Sequence, residues 1–304
     1  MIMENPEPEQ LKGQVRDFWN RQSCGTDATN AEKYSREYFE EIEAFRYQDQ
    51  AFIHEFAQFT RYHGEKVLEV GFGAGTDFIQ WLRAGAVTTG IDLTPEALAN
   101  VSRRIEVYGL PRPESLQVAD AEKLPFASDT FDLGYSFGVL HHSPDTEKAL
   151  RELVRTVRPG GEVKVMLYNL HSVRVFKTWV EFALLRGKPW KSLSWAIWNN
   201  MESIGTKAYP RAELKRMFAS LPVKNVRVHT YLTSADYLAF SVLKPLNLLV
   251  RAVLRLAGSR PAWRRSDYDF APASPQSGPV AVPQIQFLGN RLGFYHCISA
   301  TKAG

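Results

Sequence analysis

The chain has 304 residues, of which 44% are hydrophobic and 23% charged. These values are typical of a folded globular protein and exclude a disordered or fibrous chain. The formal net charge of +4 is small for this length, which argues against a dedicated nucleic-acid-binding protein.

The cysteines and the apolar runs predict a cytoplasmic location. Cys24 and Cys297 are the two cysteines, and their spacing suits neither a metal site nor a disulfide framework. The first ten residues are acidic and carry no basic and apolar signal pattern, and no uncharged apolar run is long enough to span a membrane.

The chain divides into a helical beginning and an alternating remainder. Residues 1–64 have apolar residues at helical spacing, which predicts a helical cap before any strand. From residue 65 to residue 304, short apolar strands alternate with helices, and this order predicts a mostly parallel sheet covered by helices on both faces. The expected strands are 66–70, 87–91, 116–118, 131–136, 161–167, 223–231 and 292–301.

Two insertions interrupt this alternation, at about 169–210 and 235–290. The first is predicted to be helical and contains Trp179, Trp190, Trp195 and Trp198, which could form an aromatic acceptor pocket or ordinary core. We expect it to act as a lid. The second contains a basic amphipathic helix over 245–257, which could lie on an anionic membrane but is better explained by docking on its own domain.

A glycine-rich turn follows the first predicted strand. Gly71, Gly73 and Gly75 alternate with other residues after Glu69, and such glycines let a ligand lie against the backbone. The spacing differs from a dinucleotide-binding fingerprint, because Thr76 occupies the position of its third glycine. This departure opposes a nicotinamide-dependent dehydrogenase.

The motif from Glu69 to Gly75 resembles motif I of the class I S-adenosylmethionine-dependent methyltransferases. Three further motifs follow in the family's order, at 89–93, 118–126 and 131–161, and they are most similar to those of the quinone-biosynthesis C-methyltransferases. The resemblance implies a Rossmann-like seven-stranded sheet whose last strand, near 294–300, is antiparallel between the fifth and sixth. It also implies S-adenosyl-L-methionine as cofactor, bound by Glu69, Gly71, Gly73, Gly75, Asp92, Leu93, Asp120, Ala121 and Phe137.

Within this resemblance, the residues have different expected roles. Glu69 is expected to engage the methionine end, and Asp92 to bind both ribose hydroxyls. Asp120 and the Ala121 amide are expected to contact the adenine. Residues 18–20 and 23–26 are similar to a segment that precedes this domain in a bacterial subgroup and would fold over the cofactor.

Candidate general bases follow the fourth and fifth strands. His141 and His142 stand beside the expected cofactor cleft, with Tyr168 and His171 as further candidates. Each histidine could instead bond nearby backbone. We predict no metal site, because neighbouring side chains should diverge and no cysteine or carboxylate cluster completes a ligand set.

The sequence favours methyl transfer to a small, partly apolar metabolite and leaves the acceptor atom and oligomeric state open. A nucleic-acid methyltransferase is a weaker alternative, because residues 136–139 lack the Asp/Asn-Pro-Pro-aromatic motif of amino-nitrogen methylation. A non-catalytic cofactor-binding module also remains compatible with Glu69, Asp92 and Asp120.

Overall fold

A computed structural model describes residues 6–21, 23–233, 236 and 291–304. Within these residues, seven strands form one sheet. The strands are β1 (Lys66–Val70), β2 (Val87–Asp92), β3 (Ser115–Val118), β4 (Phe131–Phe137), β5 (Val157–Tyr168), β6 (Val223–Tyr231) and β7 (Tyr295–Lys302).

The strand order is β3-β2-β1-β4-β5-β7-β6. Strands β1 to β5 pair in parallel, whereas β7 is antiparallel to both β5 and β6. The expected Rossmann-like sheet and its antiparallel insertion are therefore confirmed. Because β1 lies between β2 and β4, the direction of winding reverses beside it, and such a switch point leaves a crevice at the carboxyl ends of the strands.

Strand β5 begins four residues earlier than predicted. Phe131 pairs with Val157, but Leu133 pairs with Glu162, so the register shifts between the two positions. The Arg-Pro-Gly-Gly stretch at 158–161 thus forms an irregularity within the strand. A sequence rich in turn residues predicts the irregularity but not the extra pairing before it.

Nine α-helices accompany the sheet in the described part of the chain. They are α1 (Pro8–Arg21), α2 (Arg36–Asp49), α3 (Phe52–Ala57), α4 (Thr76–Arg83), α5 (Pro95–Tyr108), α6 (Thr146–Thr156), α7 (Val173–Phe182), α8 (Leu193–Asn200) and α9 (Arg211–Ala219). Their end signals are local. The Thr94 hydroxyl accepts from the Ala97 amide to cap α5, and Gly109 ends that helix in the left-handed region.

The core lies on both faces of the sheet, as expected when helices cover a parallel sheet. One cluster packs Leu68 and Val165 against Leu150 and Leu153 of α6. The opposite cluster packs Val67 and other strand residues against Trp81 of α4. Because helices cover both faces, a ligand can reach the sheet at the ends of its strands.

The N-terminal helices pack on α4 and α5 beside the glycine-rich turn. Glu43 of α2 joins them through a buried ionic network: its carboxylate accepts from Arg104 of α5 at 2.6 Å and from Arg83 of α4 at 2.6 Å. The charge of these two arginines outweighs burial and holds the pKa of Glu43 below its usual range. This network fixes α2 next to the glycine-rich turn.

The first insertion forms a hairpin of α7 and α8, as its helical pattern predicted. The predicted helix at 245–257 lies outside the described residues. Within the described part of the chain, every helix is too short or too polar to traverse a bilayer.

Candidate functional site

A cavity of about 210 Å³ opens at the carboxyl ends of the strands. Its walls come from the ends of β1, β2, β4 and β5, and from the N-terminal cap through residues such as Trp19, Cys24 and Arg46. This is the crevice in which open α/β sheets bind ligands. The expected residues Glu69, Gly71, Gly73, Asp92, Leu93, Asp120, Ala121 and Phe137 all line it.

The three glycines of the turn differ in the space around them. All three have positive φ angles, at 81°, 51° and 77°. A Cβ on Gly71 would lie 2.3 Å from Val139, and a Cβ on Gly75 would lie 2.6 Å from Val101. A Cβ on Gly73 would meet nothing within 4 Å. Packing therefore requires two of the glycines, and Gly73 alone presents open backbone to a ligand.

Asp92 ends β2 and organises the turn. Its carboxylate accepts from the Gly73 amide at 3.0 Å, from the Thr94 amide at 3.0 Å and from the Thr94 hydroxyl at 2.9 Å. Burial raises the pKa of Asp92, and these hydrogen bonds oppose the rise. The carboxylate thus lies fixed at the cavity wall, with its remaining lone pairs available to hydroxyl donors.

Asp120 follows β3 and is engaged by the N-terminal helix. Lys12 of α1 donates to the Asp120 carboxylate at 2.7 Å and to Glu122 at 3.3 Å. Burial would lower the pKa of Lys12, but the hydrogen bond and charge of Asp120 outweigh it and raise that pKa. The structure therefore links α1 to the predicted adenine-binding carboxylate, a contact that sequence patterns did not indicate.

Glu69 is buried at the end of β1. Its carboxylate accepts from the Trp81 indole at 2.8 Å. Burial, reinforced by the nearby charge of Asp77, raises its pKa well above the usual range. Arg46 of α2 also lines the cavity and binds Asp77 through two hydrogen bonds, of 2.9 and 2.5 Å. Arg46 was missed, because nothing in the cap sequence ties it to the turn.

The two histidines have unequal positions. His142 lines the cavity, whereas His141 is fully buried and does not. Neither ring nitrogen of His141 has a hydrogen-bond partner, and burial lowers its pKa well below the usual range. Its ring packs on Tyr168 with centroids 3.8 Å apart. His141 is therefore placed as a packing residue behind the wall, not as a base facing an acceptor.

His142 belongs to a polar set that also contains Tyr168 and Glu202. The Tyr168 hydroxyl donates to both Glu202 carboxylate oxygens at 3.0 Å, and His142 Nε2 lies 3.3 Å from Glu202 Oε2. On its other side, His142 Nδ1 is 3.0 Å from the Ser203 hydroxyl. We call His142, Tyr168 and Glu202 the polar triad. All three line the cavity.

Glu202 was missed by the sequence analysis. It follows α8 at the end of the Trp-rich insertion and has a φ of 53°, unusual for a residue with a side chain. The sequence around Glu202 contains Gly205, three residues later, but this spacing is not typical of any functional motif. The insertion therefore contributes a carboxylate to the cavity.

The insertion's tryptophans do not form the acceptor pocket that the sequence suggested. None of Trp179, Trp190, Trp195 and Trp198 lines this cavity. The Trp179 indole instead donates to the Lys191 carbonyl at 2.6 Å, and Trp190 faces solvent. Aromatic content alone could not show which way each ring points.

The two histidine rings also do not diverge, contrary to the argument used against a metal site. Their centroids are 4.4 Å apart, and one ligand atom each from His141, His142 and Glu202 lies within 4.8 Å of the others. Ligands on a tetrahedral zinc ion lie about 3.3 Å from one another for bonds of about 2 Å, a spacing that His142 Nε2 and Glu202 Oε2 have here. Among the described residues, the ring nitrogens of His141 and Nε2 of His142 have no hydrogen-bond partner.

Apolar side chains complete the wall beside the polar triad. Phe137, Met166 and Tyr295 line this part of the cavity. The Phe137 and Tyr295 rings lie 6.0 Å apart, at 67° to each other. The cavity therefore has a polar end at Asp92 and Asp120 and a partly apolar end at the polar triad.

Comparison with known proteins identifies relatives of this part of the chain. Residues 68–165 match the family described as "Methyltransferase domain". The methyltransferase GfsG of Streptomyces halstedii is 36% identical over 104 residues, which are 34% of this chain and 37% of that protein. A phosphatidylethanolamine N-methyltransferase of Cereibacter sphaeroides is 36% identical over 103 residues, 34% of this chain and 50% of that protein. The chain thus spans half or less of these relatives.

Solved structures share the fold over more of the chain. Geranyl diphosphate C-methyltransferase from Streptomyces coelicolor A3(2) has a TM-score of 0.55 at 14% identity, covering 96% of this chain and 98% of its own. A phospholethanolamine N-methyltransferase of Haemonchus contortus has a TM-score of 0.55 at 16% identity, covering 95% and 61%. At such identities the likeness concerns the fold alone.

The sheet order, the glycine-rich turn and the family match over residues 68–165 together define the class of this domain. The chain contains a class I S-adenosylmethionine-dependent methyltransferase domain. Its most similar segment runs from the end of β1 to β5 and so includes Glu69, Asp92 and Asp120.

Proposed function

We propose that this chain transfers the sulfonium methyl group of S-adenosyl-L-methionine to a small, partly apolar acceptor in the cytoplasm. The observation that carries the proposal is the continuity of one cavity from Gly73 and Asp92 to the polar triad. One end suits a nucleoside cofactor, and the other suits an acceptor that has both an apolar body and a proton to lose.

The residues present fit the cofactor. Asp92 offers a fixed carboxylate to the ribose hydroxyls, and Gly73 offers backbone that no side chain covers. Asp120 and the Ala121 amide would contact the adenine. Glu69 and Arg46, both on the cavity wall, would hold the amino and carboxylate groups of the methionine end. The bound cofactor supplies an electrophilic methyl carbon.

The chain itself would orient the acceptor, exclude water from it and accept its proton. Phe137, Met166 and Tyr295 supply apolar surface that would orient the acceptor and keep water from it. Glu202 and His142 form the polar pair at this end of the cavity. The Glu202 side chain is 33% exposed, whereas that of His142 is 5% exposed. A hydroxyl or acidic carbon of the acceptor would lose its proton to this pair, and the carboxylate would stabilise the resulting imidazolium.

The experiment is an acceptor screen that reports S-adenosylhomocysteine formation, repeated with Glu202→Gln. Removing the carboxylate that stabilises the His142 imidazolium should reduce turnover by about 10²- to 10⁴-fold. The affinity for S-adenosylhomocysteine should stay unchanged, because the proposed cofactor contacts are made by Asp92, Asp120, Glu69 and Arg46 and not by Glu202. Glu181→Gln, a carboxylate on α7 of the same insertion, is the matched control and should behave as wild type.

Two outcomes would contradict the proposal at different points. Absence of S-adenosylhomocysteine binding by calorimetry would remove the cofactor assignment. Normal turnover in Glu202→Gln, with an acceptor that wild type methylates, would leave methyl transfer in place and remove the proton-accepting role of the polar triad.

A further inference from the structure

The turn between α7 and α8 presents an unusual amount of apolar surface. Leu184, Leu185 and Trp190 are 44%, 65% and 74% exposed, and Phe176 of α7 is 49% exposed. Single exposed apolar residues are common on protein surfaces. Here three of them lie within seven consecutive residues. We call residues 184–190 the apolar turn.

The apolar turn is held in shape by hydrogen bonds. Residues Leu184–Arg186 form a 3₁₀ turn that Gly187 ends with a φ of 67°. The Lys188 amide donates to the Ala183 carbonyl at 2.8 Å, and the Trp179 indole donates to the Lys191 carbonyl at 2.6 Å. The leucines and Trp190 are therefore displayed by a built loop, and their exposure has to be explained by something that contacts them.

The charge around the apolar turn is strongly positive. Residues 173–200 contain five Lys or Arg against one acid, Glu181, an excess that equals the formal charge of +4 of the whole chain. Arg186, Lys188 and Lys191 form no ion pair within the described residues. Arg186 lies 4.9 Å from the Phe182 ring centroid, and Lys191 lies 5.2 Å from that of Trp195.

We propose that the apolar turn docks this protein on an anionic phospholipid surface. Exposed leucines can enter the boundary between headgroups and acyl chains, and tryptophan prefers that boundary because its ring is amphipathic. The unpaired basic residues complement the negative headgroups. This combination of leucine, tryptophan and unpaired cations distinguishes a lipid surface from a protein partner, whose interface would not require an excess of one charge.

The insertion is anchored at the catalytic cavity. It begins after Tyr168 and returns at Glu202, and these two side chains hydrogen-bond to each other in the cavity wall. Docking through the apolar turn would therefore connect the lipid surface mechanically to the acceptor end of the cavity. The proposal goes beyond methyl transfer and stands on the surface of the insertion alone.

Vesicle sedimentation tests the proposal with the full chain. We expect the protein to pellet with vesicles of phosphatidylcholine and phosphatidylglycerol but not with phosphatidylcholine alone, and binding should weaken in high salt. The double variant Leu185→Ser/Trp190→Ser should lower the partition coefficient at least tenfold. Arg186→Gln/Lys188→Gln should lower binding and also reduce its salt dependence.

A matched control comes from exposed β6, where Val226 and Lys224 offer the same chemistry elsewhere. Val226→Ser/Lys224→Gln should bind vesicles as wild type does. Wild type that stays in solution with anionic vesicles, or turn variants that bind normally, would overturn the proposal. So would a dimer in analytical ultracentrifugation that Leu185→Ser abolishes, because a second copy would then cover the turn.

Binding of S-adenosylhomocysteine is measured in parallel without vesicles. The turn variants should retain it, since no residue of the apolar turn lines the cavity. Retained cofactor binding with lost vesicle binding supports docking through the turn. If wild type does not bind S-adenosylhomocysteine, the methyltransferase proposal is contradicted. The vesicle-binding result can still be interpreted in that case.

Discussion

Asp92 shows how one carboxylate can serve both the fold and a ligand. It fixes the Gly73 amide and the start of α5 through three hydrogen bonds, yet it still lines the cavity. Because its contacts with the protein come from backbone and from Thr94, the carboxylate needs no ligand to be positioned. Such preorganisation favours binding, since little ordering remains to be done.

Asp92→Ala should therefore weaken S-adenosylhomocysteine binding by roughly a hundredfold or more. Two hydrogen bonds from ribose hydroxyls to a charged acceptor contribute about 1.5 to 3 kcal/mol each. Isothermal calorimetry measures the loss, and Glu114→Gln, an exposed acid just before β3, is the control. Tight binding of NAD by wild type, or unchanged affinity in Asp92→Ala, would remove the assignment of this site.

At the scale of elements, different glycines of the glycine-rich turn serve packing and ligand access. Gly71 and Gly75 are required because Val139 and Val101 occupy the space that a side chain would need. Gly73 has no such neighbour. The alternation of glycines in the sequence therefore has two causes, close packing on α5 and the β4 loop, and open backbone for a ligand.

Gly73→Ala should separate the two effects. A side chain at a φ of 51° costs about 1 to 2 kcal/mol, and its Cβ would project into the cofactor space. We expect S-adenosylhomocysteine affinity to fall at least tenfold while the protein stays folded. Gly109→Ala carries the same strain at the end of α5, with φ 62° and nothing within 4 Å, and should lower stability without changing affinity.

The cap helix α2 provides a second test at this scale. Glu43 is buried between Arg83 and Arg104, and replacing one partner of a buried ion pair costs about 3 to 5 kcal/mol. Glu43→Gln should therefore lower the melting temperature clearly. Glu37→Gln, on the exposed side of α2, should leave it unchanged.

The pH dependence of this effect has a defined sign. Because the pKa of Glu43 is depressed in the folded protein, its stabilisation is complete above the unfolded value of about 4.3 and is lost as pH falls through the folded value. The difference in melting temperature between wild type and Glu43→Gln should narrow below pH of about 4. A difference that is constant with pH would show that charge is not its cause.

At the scale of the whole molecule, the two cysteines report on closure of the cap and integrity of the sheet. Cys297 lies in β7 and is fully buried, whereas Cys24 is exposed and lines the cavity. Native protein should react with a maleimide at Cys24 and not at Cys297. S-adenosylhomocysteine should slow labelling of Cys24, measured by mass spectrometry, because the cap covers the same cavity. Equal labelling of both cysteines in folded protein would contradict the position of β7.

The sequence by itself determined the order of the strands along the chain, the helix ends and most of the residues that line the polar end of the cavity. These features are local: apolar periodicity, capping residues and a strand followed by glycines act over a few positions. Asp92 and Gly73 could be identified for this reason, since each stands at the end of a strand whose carboxyl edge is shared with its neighbours.

Tertiary structure alone decided which residues form the partly apolar end of the cavity. Lys12 hydrogen-bonds to Asp120, which is 108 residues away in the sequence, and Tyr168 hydrogen-bonds to Glu202, which is 34 residues away. Neither distance follows a helix or strand period, so no spacing rule predicts it. The direction of a side chain is equally unpredictable from spacing. His141 is buried behind the cavity wall, whereas the adjacent His142 lines the cavity. In the first insertion, Glu202 lines the cavity and the four tryptophans do not. Which way a side chain points depends on what packs against its element, and that is fixed only when distant segments meet.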